Sequence, residues 1–288
     1  GSLLALFTSN TKEVLMQQLL SIVFMIVLFA PSLLGNESQF GLSGSGFIES
    51  TWNTHEAKRE RLAVAEIESG NIPKHLMDLV PITVESGKQK ITFYVMPDYI
   101  AIGNDADYVT YPLNYLSAVK VAKRMNMVLP TTKMVDLIYE AASKKIRPAP
   151  MNPGRRMSSN AYIKKHDQGI KSQLLNSPKG MLIAGHKKDT VVSNRLINSP
   201  DRIAIYGWHL NNKKVVQPLN TWHTANYADY SHGVRLIDRQ VLVNGEIWDI
   251  ADVLMNDDLA PMISKEGTMN LEMIMTPTMK RSDLSHNN

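Results

Sequence analysis

SPDRIAIYGWHLNNKKVVQPLNTWHTANYADYSHGVRLI, residues 199–237, reads as short β-strands separated by turns. Arg202–Tyr206, Val215–Gln217 and Tyr227–Leu236 are rich in β-branched and aromatic side chains, and Asn211-Asn212 supplies a turn between the first two. The pattern extends outward on both sides, through Met181–Ala184 and Thr190–Val192 before it and Val241–Val243 after it, with Asn244-Gly245 as a hairpin turn. Upstream the periodicity is mostly helical. Thr54–Ser69 reads as a helix capped by Thr54 and stopped by Gly70. A second helix is expected from Pro112 to about Met127 and a third, capped by Thr131 or Thr132, to about Lys145, the pair forming a helical hairpin. Lys90–Met96 alternates like a strand, and Asn160 to about Leu175 reads as a helix. Helices that dominate the first half and short strands the second predict an α+β fold with a mainly antiparallel sheet.

The N-terminal residues have another character. Leu19–Ala30 (LLSIVFMIVLFA) is apolar but for one serine. Twelve residues are short for a bilayer span, which takes about 20, and suit the apolar region of a secretory signal peptide cleaved near residues 35–38. Met16 would then be the start, with residues 1–15 upstream of it. The expected organisation is a signal segment over 1–35, a flexible linker over 36–53, one α+β domain over 54–280 with a possible sub-boundary in the proline-rich loop 147–159, and a tail over 281–288. The expected address is secreted or periplasmic, with membrane contact only through the N-terminal segment.

Composition narrows the chemistry. The chain has 288 residues, a net charge of +4 and no cysteine, which excludes disulfides, thiolate catalysis and cysteine-held metals. Lysine and arginine are interspersed with acids, so no nucleic-acid surface is read. Neither G-x4-G-K-[ST] nor G-x-G-x-x-G is present, and no nucleotide is expected.

The densest concentration of chemistry lies in residues 206–235. His209, His223, Asp229, Ser231 and His232 are the candidate catalytic residues. Imidazole and carboxylate suit general acid–base work; serine needs a neighbouring base and a group to orient that base. His223, Asp229 and His232 also form a ligand set for zinc with an open position, which would lower the pKa of bound water to about 7. A third reading makes the same residues a structural polar cluster. Were Tyr227–Leu236 a straight strand, Asp229 and His232 would point to opposite faces; a bulge at Gly233 would reunite them. Tyr206, Trp208, Trp222, Tyr227 and Tyr230 are candidates to stack on substrate, and His186, Lys187 and Arg235 to bind its anionic groups. Glu49, Asp229, Glu246 and Asp249 are the carboxylates weighed for glycoside chemistry.

Over residues 223–232 the order histidine, aspartate, histidine resembles that of LAS-type metallopeptidases, which cut cell-wall peptides. The chain departs from that pattern in the His223–Asp229 spacing and has no H-x-H pair. The reading that joins these observations is an exported hydrolase of a cell-wall or extracellular polymer, peptide or glycan, with zinc as its possible cofactor. The alternative is a carbohydrate-binding or structural envelope protein.

Overall fold

The computed structural model describes residues 41–212 and 214–279. The expected signal segment and the C-terminal tail lie outside the described residues. From the N-terminus, the principal elements begin with helices α1 (Gly44–Ser50) and α2 (Glu56–Glu68). Strands β1 (Val80–Ser86) and β2 (Gln89–Val95) form a hairpin. Helices α3 (Tyr115–Arg124), α4 (Thr132–Ala141) and α5 (Asn160–Gln173) follow. Then come β3 (Lys188–Thr190), β4 (Ile205–His209), β5 (Val215–Asn220), β6 (His232–Gly233), β7 (Gln240–Val243) and β8 (Glu246–Asp249). Three short helices, Ile250–Met255, Ala260–Ile263 and Leu271–Ile274, close the described chain. The fold is α+β with mainly antiparallel strands, as the sequence pattern implies.

Two sheets carry the architecture. In the six-stranded sheet, β2 pairs with β1 along one edge and with β7 and Ile237–Asp238 along the other; β8 and Met127–Val128 extend it. Strand β2 is its spine because its sequence alternates: Ile91, Phe93 and Val95 are buried, while Thr92 and Tyr94 are half-buried. The four-stranded sheet runs β5-β4-β3-β6. Its one parallel pairing sets His232 opposite Lys188 and Gly233 opposite Asp189. That register brings segment 186–189 against segment 229–235, more than forty residues apart in the chain.

Several elements differ from the sequence reading, each for a local reason. Residues 41–53 are no linker: Ser43 caps α1 by accepting from the Gly46 amide, and Phe47 and Ile48 are buried in the core. The polar, glycine-rich composition hid two apolar side chains one residue apart. Helix α2 is capped by His55, not Thr54. Helices α3 and α4 do not form a simple hairpin, because Met127–Val128 between them pairs with Ile237–Asp238. Thr131 does cap α4, accepting from the Met134 amide at 3.1 Å, but α4 ends at Ala141 and Lys144–Lys145 becomes a strand parallel to Ile183–Ala184. Tyr227–Leu236 is a turn followed by the short β6: the His232 amide donates to Asp229 O at 3.0 Å. The proline-rich loop 147–159 sits within one compact unit that contains the described residues.

Candidate active site

The register of β3 and β6 gathers an unusual density of buried polar side chains. His186, Lys187, Asp189, Asp229, Ser231, His232 and Arg235 are all buried. Asp229 is the hub at the β6 end. Its Oδ1 accepts from the Ser231 amide (2.8 Å) and hydroxyl (2.6 Å), and its Oδ2 accepts from the Tyr227 phenol at 3.0 Å. His232 Nε2 lies 3.8 Å from the same Oδ2. His223 is exposed and stacks on the Tyr227 ring at 4.1 Å between centroids. Burial pushes the Asp229 carboxyl up, but the neighbouring His232, Ser231 and Lys188 more than offset this, and its pKa is lowered. Burial holds His223 and His232 below the ordinary histidine value and raises the Tyr227 phenol, as does the adjacent Asp229. At neutral pH this leaves an anionic carboxylate, neutral imidazoles and a protonated phenol.

The site therefore unites His223, Tyr227, Asp229, Ser231 and His232 without a bulge, because the turn at 229–232 replaces the expected strand. Gly233 matters here for space rather than dihedral freedom. A Cβ on it would lie 2.5 Å from Tyr99 Cδ1, a separation that only glycine avoids.

His209 belongs elsewhere. Its Nε2 is 2.8 Å from Asp136 Oδ1, and its ring stacks on Tyr139 at 4.4 Å. Tyr206 donates to the same Asp136 at 2.9 Å, and Lys265 pairs with it. This second group lines its own recess of about 260 Å³. Positive φ at Gly207 (113°) and at the non-glycine Trp208 (59°) turns β4 sharply. His209 is thereby directed at α4, while the Trp208 indole donates to His186 O at 3.2 Å.

Other expected contacts with substrate are internal. Lys187 is fully enclosed, with Nζ donating to Tyr230 O at 2.6 Å, and burial lowers its pKa to about 8. His186 is buried and turned to the interior, with Nε2 3.0 Å from Asp98 Oδ1. Arg235 is not available to a substrate anion. It is completely buried over the Tyr99 ring, donating to Met96 O (2.9 Å) and Ile183 O (2.6 Å). Tyr230 is buried with its hydroxyl accepting from the Met151 amide. The serine-nucleophile reading finds Ser231 sealed from solvent and bonded to a carboxylate. Of the five candidate aromatics, Trp222 is the one exposed, at 81%.

For zinc, both oxygens of Asp229 are taken by protein donors. Among the described residues, no group of three or more histidine, aspartate or glutamate side chains is arranged to hold a metal ion.

Sequence reasoning missed Asp98, Tyr99, Asp136, His166, Lys188 and Glu60. Asp136 had a legible trace, a lone acid inside the apolar run of α4. The others sit at strand ends or on helices, where a charge reads as solvated. Lys188 stands near Asp229, over the Trp208 ring at 5.0 Å. His166 is buried against Tyr230 with neither ring nitrogen hydrogen-bonded.

Comparison with known proteins finds no match to a family model, a curated protein or a solved structure. The fold and the site together define an α+β protein with a buried carboxylate hub that reaches the surface through a phenol and an imidazole.

Proposed function

We propose that this protein is an exported hydrolase of a cell-wall or extracellular polymer, working by acid–base chemistry at His223, Tyr227 and Asp229. One arrangement supports the reading: an exposed, neutral imidazole stacked on a phenol whose hydroxyl is held by a buried, ionised carboxylate. A histidine below its ordinary pKa accepts protons at neutral pH. In the proposed step His223 takes a proton from water as the water oxygen bonds to the electrophilic carbon of the substrate. The bond to the leaving group breaks, and the protonated His223 returns that proton to it. Tyr227, kept neutral by burial and by Asp229, gives its one proton to that carboxylate and holds the His223 ring in place by stacking on it. Asp229 is a positioning residue: it touches Tyr227, not the substrate. Support for export comes from the apolar run Leu19–Ala30.

The test is release of soluble fragments from dye-labelled peptidoglycan, and hydrolysis of peptide and oligosaccharide panels. His223→Ala is expected to lower kcat/KM about 100-fold or more, a typical size for loss of a general base, and Tyr227→Phe about 10-fold. His223→Ala at wild-type rate would end this assignment. A wild type that turns over nothing returns the protein to the binding or structural alternatives. Elemental analysis of both proteins separates the metal-free route from the zinc route through His223, Asp229 and His232. One zinc per chain, lost in His223→Ala, would install the metal.

A further inference from the structure

Tyr227 has a second environment. It borders a cavity of about 630 Å³, within the range of small-molecule sites. One wall is the first turns of α2, with Glu56 and Glu60 one helical turn apart on the same face. The opposite walls are the segment that caps α3 (Asn114, Ser117) and the loop 224–228 with Asn226. Glu60 is held in place, with Oε1 accepting from the Asn114 amide at 2.9 Å and a further hydrogen bond from Ser117. Glu56 accepts from the Ser158 hydroxyl at 3.1 Å.

Three properties of this lining bear on what it binds. First, its charge is balanced: Glu56 and Glu60 face Arg59 and Arg61. Arg59 is already committed to Tyr111 Oη (3.0 Å) and Ser158 O, which leaves the exposed Arg61 as the other cation of the lining. Second, the walls are helix turns and loops, with no residue from a strand of either sheet. An extended peptide recognised by strand addition has no edge to join here. Third, besides the two arginines and His55, the polar groups are carboxyl, amide and hydroxyl, a set that pairs with vicinal hydroxyls. Trp222, 81% exposed, lies two residues before Thr224 of the same wall. An exposed indole so near in sequence to such a lining suits the apolar face of a sugar ring.

We propose that this cavity is a saccharide-binding cleft, in which Glu60, Glu56 and Asn226 hydrogen-bond the hydroxyls of a neutral glycan and Trp222 stacks on one of its rings. The inference names the substrate class of the proposed hydrolase. It rests on that reading for turnover at the shared Tyr227, but not for binding. Burial raises the Glu60 carboxyl to about 7, so near neutrality it both donates and accepts hydrogen bonds, as a sugar hydroxyl requires.

Titration calorimetry of the full chain with the neutral glycans chitotetraose, cellotetraose and xylotetraose tests it. The wild type is expected to bind at least one of the three. Glu60→Ala is expected to weaken that binding at least tenfold, and Trp222→Ala at least fivefold. Trp222 is a surface residue, so its variant keeps the test valid if Glu60→Ala unfolds. His223→Ala should bind like wild type while losing hydrolysis. Binding without hydrolysis in any protein leaves the cleft standing and removes the hydrolase. Failure of the wild type to bind all three glycans overturns the cleft. So does binding unchanged by both cleft substitutions, even if polymer is cleaved.

Discussion

At the scale of single residues, burial decides which charges act and which only hold the molecule together. Glu60 and Arg235 mark the two cases. Burial, the largest influence on Glu60, lifts its pKa from 4.5 to about 7. The folded chain therefore binds this proton more tightly than the unfolded chain. The stability it contributes is complete below about pH 4.5 and is lost as pH rises through about 7. Glu60→Gln removes the dependence. Relative to wild type, the variant should gain about 1–3 kcal/mol between pH 4 and pH 9, which thermal unfolding reads as several degrees. A constant difference between the two proteins across that range would refute the account. Arg235, by contrast, is a wholly internal cation that satisfies two carbonyl oxygens at the end of β2 and before β3. Arg235→Ala leaves both acceptors in a dry site and opens a cavity. The expected loss is about 3–5 kcal/mol, seen as a midpoint lowered by roughly 10 °C. An unchanged midpoint would show that those carbonyls find water.

At the scale of elements, one short pairing and one backbone kink do more to place the polar side chains than the long helices. The parallel pairing of β6 with β3 sets Lys188 opposite His232, and its closeness depends on Gly233. Ala at 233 would drive a methyl into the Tyr99 ring and force β6 away from β3. Such overpacking costs about 1–3 kcal/mol. Here the displacement should also lower hydrolytic rate, because His232 and Asp229 belong to the strand and turn that move. Gly70→Ala serves as the control, since open space surrounds Gly70 and only its φ of +87° is strained. If Gly233→Ala matches wild type in both melting and rate, the close approach is not what holds the site. The kink at Gly207 and Trp208 is the other such device. Non-glycine residues at positive φ cost about 1–3 kcal/mol, here balanced by the indole bond to His186 O and by packing of Trp208 in the interior. Without that kink the alternation of IAIYGWH would send His209 and Tyr206 to different faces. With it, both reach Asp136.

At the scale of the whole molecule, the two sheets share their polar contents through the chain between β6 and β7. Arg235 reaches back to the end of β2, while His232 and Gly233 pair with β3. Among the described residues no helix is long and apolar enough to cross a membrane.

The α+β class and its mainly antiparallel sheets followed from sequence alone, because periodicity of 2 or 3.6 is a local property of side-chain burial. The same holds for the strand ITFYV and for a threonine cap on α4 at 131 or 132, of which the structure takes Thr131. So, in part, does the site: His223, Tyr227, Asp229, Ser231 and His232 lie within ten residues, and a turn is enough to bring them together. Tertiary structure alone decided the rest. Whether Lys187 and Arg235 meet solvent or the core depends on what packs over them, and their partners are 43 and 139 residues away. The separation of His209 from Asp229 turns on two backbone dihedrals in β4. Glu60 and Asn114 meet only because α2 and the α3 cap face the same cavity. Local patterning reports which residues want burial, whereas a charged side chain's role is set by long-range neighbours that no window of sequence contains.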